Sequence, residues 1–297
     1  MEQTNQEHHS RNWHDRNYKL LLLIPLALLI FSLVYMGMFY SKNHDFIYKD
    51  ISLTGGTSVT VYEKVDVANL KQTLSDKLDE INTKEIYDLI THEQQAVIIE
   101  TKTEGVETKK ILEDYLGHEL TDKNSSFEFT GSTLSESFYR QLLIAILVAF
   151  VCMAIVVFII FRTFVPSSAV VLSAFADILM TLVLVNMLGI KMSSAGIIAF
   201  LMLIGYSVDT DILLTNRILK NREGNLNQRL VGAFKTGITM TLTSLVAVGF
   251  ALFIVKSFSI ILTQIFTILV IGLGFDIFNT WITNVSILKW YVEKKHG

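Results

Sequence analysis

Six long apolar runs dominate this chain of 297 residues and limit what it can fold into. A helix rises about 1.5 Å per residue, so about 20 residues cross a hydrocarbon core about 30 Å thick. Hydrophobic residues make up 51% of the chain and only two residues are proline, which favours uninterrupted helices. The pattern predicts a membrane α-helical bundle of six transmembrane helices, at 20–40, 142–161, 167–188, 192–215, 236–255 and 258 to about 281.

The basic residues orient these helices. The short segments on one side hold twelve of the 25 Lys and Arg residues, whereas the short loops on the other side hold only Lys191 and Lys256. The positive-inside rule therefore predicts a multi-pass protein of the cell membrane with both termini in the cytoplasm. The first run is too long for the apolar part of a signal peptide, and no small-residue cleavage site follows it, so we expect it to stay uncleaved.

The same reasoning divides the chain. We expect a cytoplasmic tail at 1–19, a first transmembrane helix at 20–40, an extracytoplasmic domain at 41–140, transmembrane helices two to six at 141–290 with a cytoplasmic loop at 216–235, and a cytoplasmic tail at 291–297.

The long polar segment after the first helix has the pattern of a small α+β domain. Period-two alternation predicts strands at 58–63, 84–91, 96–101 and 126–130, and helical spacing of apolar residues predicts helices at 67–79 and 106–116. The order β-α-β-β-α-β is that of a ferredoxin-like extracytoplasmic domain. Because this topology carries many unrelated functions, it specifies none of them.

Several classes of chemistry lack a sequence signal. The one cysteine, Cys152, lies in an apolar run, and His8, His9 and His14 lack the spacing of metal ligands. No nucleophile stands beside a base and no phosphate-binding loop occurs, so we expect neither an enzyme nor a cofactor. The net charge of −3 gives no indication of nucleic-acid binding.

Four carboxylates fall inside the predicted transmembrane helices. Ionisable groups at such positions are costly and are usually functional. Asp177 shares a helix face with Ser173 and Thr181, and Asp211 shares one with Ser207 and Thr215. Asp276 belongs to a polar stripe, and Asp209 lies about 200° around its helix from Asp211. Two interpretations stay open: a relay for protons or ions, or polar contacts that only hold the helices together. The stripe of Asp276 comprises Gly272, Asn279, Thr280 and Thr283.

Four segments resemble the SecF family of protein-export membrane proteins. The segment in the fourth helix is similar to the family signature, and its Asp-Thr-Asp form is similar to that of archaeal members. Segment 50–57 resembles the family's D-x-x-G-G entry to the outer domain, 174–178 its Asp motif, and 235–244 its Thr-rich start of helix five, with Lys235 where bacterial members carry Arg. The signature residues here are Gly55, Gly56, Gly205, Tyr206, Ser207, Asp209 and Asp211.

The resemblance implies a half-transporter of the resistance-nodulation-division superfamily. It implies a heterodimer with a SecD-type subunit, a place beside a SecY-type channel, and contact with unfolded exported polypeptide and membrane lipid, driven by proton motive force. Asp209 is the first candidate for the proton-carrying group and Asp211 the second, with Asp276 and Asp177 beside them and Lys235 as a nearby basic residue.

Two alternatives remain at this stage. One is another half-transporter of the same superfamily, although such proteins usually carry both halves on one chain. The other is a scaffold subunit that transports nothing and whose carboxylates only pack.

Overall fold

The computed structural model of the chain describes residues 20–88, 90–220, 226–257 and 259–296. The predicted tail at 1–19 with its histidines, and the middle of the predicted loop at 216–235, lie outside this part. In chain order the elements are α1 (Leu23–Asn43), α2 (Ile51–Thr54), β1 (Gly56–Val61), α3 (Val67–Leu74), β2 (Asn82–Tyr87), β3 (Gln94–Thr101), α4 (Gly105–Leu116), β4 (Ser125–Thr130), α5 (Ser132–Phe161), α6 (Phe164–Met187), α7 (Ser194–Leu219), α8 (Leu226–Val255), α9 (Ile260–Phe278), a π-helical segment (Asn279–Asn284) and α10 (Val285–His296).

Six helices of the described chain are long and apolar enough to cross a membrane, as predicted: α1, α5, α6, α7, α8 and the continuous helix formed by α9, the π-helical segment and α10. Two of them are longer than their apolar runs. α5 begins at Ser132 and α8 at Leu226, each about ten residues before the run that predicted it. Hydropathy marks only the part of a helix that lipid surrounds, whereas the helix continues as long as its backbone hydrogen bonds do.

The centre of the bundle consists of α6, α7 and the α9–α10 helix. These helices carry most of the buried side chains, including polar ones, whereas α1, α5 and α8 lie outside them and expose apolar side chains. One apolar cluster, with Leu53, Met192, Phe200, Leu203 and Leu269 among its members, joins α7 and α9 to the base of the α+β domain. We call this end of the bundle the domain end.

The α+β domain has the predicted ferredoxin-like topology. Its four strands form an antiparallel sheet in the order β2-β3-β1-β4, and α3 and α4 cover one face. The central strands alternate as the sequence predicts: Val59, Val61, Val97 and Ile99 are fully buried against Leu70 and Leu112 of the two helices. The other face of the sheet lies over the domain end of the bundle, where it encloses a cavity of about 210 Å³ with α7 and α9.

Backbone hydrogen bonds attach this domain to the bundle. The Asp50 N–H donates to the Met192 carbonyl at 3.0 Å, and the Met192 N–H donates to Tyr48 at 2.5 Å. The Ser52 hydroxyl accepts the Ser194 N–H at 3.0 Å and itself donates to Asp50. Burial raises the pKa of the Asp50 carboxyl, against the hydrogen bonds from Ser52 that lower it. The first turn of α7 is thereby tied to the segment that leads into the sheet.

The glycine pair at the entry to β1 serves this junction. Gly55 has a φ of +83°, and a Cβ built on it would lie 2.5 Å from the Cα of Ser132, the first residue of α5. Gly56 is equally confined, because its Cβ would lie 2.4 Å from the Thr101 carbonyl oxygen of β3. Only glycine combines the positive φ with this close approach of two backbones. The structure therefore gives the family motif a structural role.

Replacing Gly55 tests this role. We expect Gly55→Ala to lower the free energy of unfolding by about 1–3 kcal/mol, because the added methyl group meets backbone atoms that cannot rotate away. The matched control is Gly131→Ala, since Gly131 lies beside the same junction with a φ of −66° and nothing within 4 Å of its Cβ. Thermal unfolding of both full-length variants in detergent measures the effect, and equal midpoints would contradict it.

Candidate functional site

Three carboxyl groups meet in the centre of the bundle, and we call them the carboxyl cluster. They belong to Asp177 of α6, Asp211 of α7 and Asp276 of α9, and all three side chains are completely buried. The three carboxyl groups lie together because each helix buries the predicted polar stripe that carries its carboxyl group. Among the described residues, no group of three or more His, Cys, Asp or Glu has a geometry that could hold a metal ion.

Asp177 is held by two neutral donors from different helices. The Ser207 hydroxyl of α7 donates to its Oδ2 at 2.6 Å, and the Asn279 amide donates to its Oδ1 at 2.7 Å. Each oxygen of Asp177 therefore accepts one hydrogen bond from a buried group. Ser207 is part of the family signature, and this contact is its role in the structure.

Thr280 links the other two carboxyl groups. Its hydroxyl lies 2.9 Å from Asp211 Oδ1 and 3.2 Å from Asp276 Oδ1. A hydroxyl carries one proton, so it can donate to only one carboxylate at a time and must accept from the other. Both contacts are hydrogen bonds only if the second carboxyl group carries a proton. The geometry is therefore that of two carboxyl groups sharing a proton through a hydroxyl.

Further donors close the cluster on either side. The Asn284 amide donates to Asp211 Oδ1 at 2.7 Å, and the Thr241 hydroxyl of α8 donates to Asp276 Oδ2 at 3.5 Å, the long limit for such a bond. Asp211 Oδ2 is buried and has no hydrogen-bond partner among the described residues. An unpaired carboxylate oxygen is costly in an apolar interior, which again favours a neutral Asp211.

The π-helical segment positions most of these donors. Asn279, Thr280 and Asn284 all lie in it and all contact the cluster. A π-helical turn contains an extra residue, which widens the helix and changes the direction of the following side chains. The same segment carries Trp281, whose ring packs on Gly237 of α8 so closely that a Cβ there would lie 2.5 Å away.

Apolar packing separates the carboxyl cluster from the domain end. Leu203 of α7 lies against Gly272 of α9, where a Cβ would be 2.4 Å from the leucine side chain. Ile268 and Leu269 continue this layer and are fully buried. Beyond the cluster in the opposite direction, the buried residues include polar ones, such as Thr215 and Ser286.

The remaining predicted residues lie elsewhere. Asp209, Gly205 and Tyr206 are exposed on the face of α7 that points away from the carboxyl cluster, and Lys235 is exposed on α8. Thr239 and Thr243 are also exposed, and their hydroxyls donate to carbonyl oxygens of their own helix. Of the predicted relay residues, the structure brings together Asp177, Asp211 and Asp276, but not Asp209 or Lys235.

Two features of the cluster were missed at the sequence level. Asn284 continues the stripe of Asp276 and Thr280 at a spacing of four residues, so its position carried a signal, but the predicted stripe ended at Thr283 and did not include it. The π-helical segment had no such signal, because the residues 279–284 have no composition that distinguishes a π-helical from an α-helical turn.

Fold and site together define a class: a polytopic membrane protein with a six-helix bundle, a buried polar centre and a ferredoxin-like domain inserted after the first helix. Residues 110–294 match the family model for the C-terminal region of the protein-export membrane proteins SecD and SecF. The chain belongs to the SecD/SecF family, a family of membrane proteins of protein export and not of enzymes, and to its SecF branch.

Curated relatives support this over nearly the whole chain. The protein-export membrane protein SecF of Methanocaldococcus jannaschii is 41% identical over 94% of this chain and 97% of its own length. SecF of Methanothermobacter thermautotrophicus is 37% identical over 94% of each chain. The crystal structure of SecDF from Thermus, a translocon-associated membrane protein, superposes with a TM-score of 0.72 at 19% identity, which shows a shared fold. The match covers 93% of this chain but only 38% of the SecDF chain.

A substitution at Thr280 tests the shared hydrogen bonds. Thr280→Val keeps the shape of the side chain but leaves Asp211 and Asp276 with one donor fewer, so we expect the free energy of unfolding to fall by about 1–3 kcal/mol. Thr280→Ser keeps the hydroxyl group and should therefore retain most of the wild-type stability.

The control is Thr215→Val. The Thr215 hydroxyl is buried and has no hydrogen-bond partner among the described residues, so its loss should be neutral or stabilising. Thermal unfolding in detergent compares the three variants, and equal losses for Thr280→Val and Thr215→Val would show that the hydroxyl bridge contributes nothing.

Proposed function

We propose that this protein is an accessory subunit of protein export that works with a SecD-type subunit and couples export to proton movement through the carboxyl cluster. The observation that carries the proposal is the hydroxyl bridge of Thr280 between two buried carboxyl groups. Membership of the SecF branch supports the export role, and the geometry supports the coupling.

The coupling follows from the arrangement of donors. A proton that moves from Asp211 to Asp276 reverses the direction in which the Thr280 hydroxyl donates, so that one transfer changes two hydrogen bonds. Asn279 and Thr280 lie next to each other in the π-helical segment, and Asn279 holds Asp177. Protonation at one carboxyl group can therefore shift the last transmembrane helix relative to α6 and α7. Each charge that crosses 100 mV supplies about 2.3 kcal/mol for such a shift.

Isosteric substitutions test the relay. We expect Asp211→Asn and Asp276→Asn each to abolish the proton-dependent part of export, because neither amide can carry the shared proton. The measurement is export in membrane vesicles with and without a proton gradient, with assembly checked by co-purification. Thr215→Val is the control for a buried polar change beside the cluster.

The outcome also separates the alternatives. A scaffold subunit would keep wild-type export in both Asn variants as long as it assembled, and that result would refute the relay. Asp209, the first candidate from the sequence, remains a prediction, and Asp209→Asn belongs in the same series.

An exposed polar face on α7 supports the pairing with a SecD-type subunit. Gly205, Tyr206 and Asp209 lie on it, and Asp209 is ten residues from the end of a 26-residue helix, well inside the hydrocarbon layer. A carboxylate that faced lipid there would cost several kcal/mol. We propose that a second six-helix half covers this face and offers a hydrogen-bond donor to Asp209. The length of the SecDF relative, of which this chain matches 38%, leaves room for such a half.

Asp209→Leu separates pairing from folding. Removing a carboxylate from a lipid-facing surface should leave the isolated subunit as stable as before or more so, whereas the complex with the SecD-type subunit should weaken. The measurement is the ratio of the two subunits after mild-detergent purification, with Met202→Leu on the same face as control. An unchanged ratio would remove Asp209 from the interface.

The remaining proposals concern the orientation of the chain in the membrane and its neighbours outside it. We propose that both termini lie in the cytoplasm and the α+β domain outside, as the charge distribution predicts. In that orientation the domain would stand next to the exit of a SecY-type channel, where unfolded exported polypeptide emerges.

A further inference from the structure

The π-helical segment of the last transmembrane helix contains buried polar groups without partners. The Val285 N–H, just after the segment, donates to the Thr280 carbonyl five residues earlier, so the turn holds one residue more than an α-helical turn. Within the segment, the Nε1–H of Trp281 and the Oδ1 of Asn284 are buried and have no hydrogen-bond partner among the described residues. Each such group raises the free energy of the folded chain. The present position of the extra residue is therefore not the best one for these two side chains.

A glycine without a packing role lies five residues before this segment. Gly274 is exposed, and a Cβ built on it would have nothing within 4 Å, whereas Gly272 makes room for the side chain of Leu203. The φ of Gly274 is not positive either. Glycine inside a helix holds the α-helical conformation less firmly than alanine does. A backbone that must change its conformation accounts for Gly274, whereas packing and φ do not.

We propose that the π-helical turn migrates between residues 279–284 and the turn that contains Gly274, and that this movement carries Asp276 out of the carboxyl cluster when the shared proton is lost. Gly274 is a positioning residue in this movement, since it sets only how easily the backbone accepts the extra residue. The inference rests on the proposed coupling to proton movement and identifies the part of the protein that moves.

Migration of the turn moves a few residues and leaves both ends of the helix in place. The residues between its two positions shift by one place, which is about 100° around the helix axis and about 1.5 Å along it. Asp276 takes the place of Phe275, which is half-buried, and Ile277 takes the place of Asp276. Residues beyond the segment, such as the fully buried Leu288, keep their packing. The movement therefore does not require the bundle to come apart.

The shared proton decides between the two positions. With a proton on Asp211 or Asp276, the Thr280 hydroxyl bonds to both carboxyl groups and holds the turn at 279–284. Without that proton, two carboxylates lie close together in an apolar interior, and their repulsion favours a state in which one of them leaves. The shift takes Asp276 to the half-buried face, and the apolar side chain of Ile277 fills the space.

The charges around the segment make the carboxyl cluster the source of this response. Among the described residues of the bundle, the buried Asp, Glu, Lys, Arg and His side chains are Asp177 of α6, Asp211 of α7, Asp276 of α9 and Lys289 of α10. The three carboxyl groups contact the segment directly, whereas Lys289 lies five residues beyond it. α1 also packs on the segment, and between residues 23 and 41 it carries none of these residue types.

An alanine at Gly274 tests the movement separately from the fold. Alanine holds the backbone α-helical, so Gly274→Ala should raise the thermal unfolding midpoint and lower the proton-dependent part of export about fivefold. The matched control is Gly249→Ala, since Gly249 lies inside α8 and also has nothing within 4 Å of its Cβ. It should raise the midpoint in the same way and leave export unchanged. Equal export in the two variants would overturn the role of Gly274.

Fluorine NMR of the full-length subunit in detergent observes the segment directly. The chain has three Trp residues, so Trp13→Phe and Trp290→Phe leave Trp281 as the one site for 5-fluorotryptophan. We expect a second resonance to grow as the pH rises, because the shared proton is then lost and the indole ring turns with the helix. Gly274→Ala should lower the share of this resonance about fivefold, and Gly249→Ala should not.

The outcomes distinguish this inference from the proposed function. Asp276→Asn should give one resonance at every pH, because the amide carries no charge that repulsion could displace. If the Trp281 resonance of the wild-type chain also stays the same at every pH, the turn remains at 279–284 and the inference is wrong, whatever the export result. If that resonance changes with pH while Asp211→Asn and Asp276→Asn keep wild-type export, the movement is confirmed and the coupling of export to protons is wrong.

Discussion

The structure depends on how three carboxyl groups are buried in the middle of an apolar bundle. The side chains that donate hydrogen bonds to them are neutral hydroxyl and amide groups. Such groups can stabilise a carboxylate but cannot cancel its charge. Each donor comes from a different helix than its acceptor, apart from Thr280, which also reaches Asp276 within its own helix. The positions of α6, α7 and the last transmembrane helix are therefore set by the same contacts that hold the carboxyl groups.

The last transmembrane helix has the largest part in this arrangement. It contributes Asp276 from its regular α-helical part and Asn279, Thr280 and Asn284 from the π-helical segment. Close packing of Leu203 on Gly272 separates these groups from the domain end, and the contact of Trp281 with Gly237 holds α8 against them. A small change in the π-helical segment would alter several hydrogen bonds at once, which is what coupling of protonation to helix movement requires.

α7 divides its signature residues between two environments. Ser207 and Asp211 face the carboxyl cluster, whereas Gly205, Tyr206 and Asp209 face outwards. The first turn of the same helix is hydrogen-bonded to the segment that enters the α+β domain. One helix thus connects the buried site, the surface proposed for the partner subunit and the domain outside the bundle. A movement of α7 would reach both the buried site and the α+β domain, because each of these connections is a direct hydrogen bond.

Much of this protein was predictable from its sequence. The six transmembrane helices follow from the length of the apolar runs, the sheet from the β-α-β-β-α-β order, and the buried faces of Asp177, Asp211 and Asp276 from the spacing of polar residues along each helix. These are local properties, since helix and strand periods show which side chains share a face. Local periodicity also separated Asp209 from Asp211 by about 200°.

Periodicity cannot show which of two polar faces on one helix turns inwards, or which groups from different helices meet. Only the packing of α7 among α6, α8 and α9 decided that Asp211 lies inside and Asp209 outside, because burial is a property of the neighbours and not of the residue. The bridge of Thr280 between Asp211 and Asp276 joins two helices, since Thr280 and Asp211 are 69 positions apart in the chain. Such contacts between distant parts of the chain exist only once the tertiary structure has brought the helices and strands together.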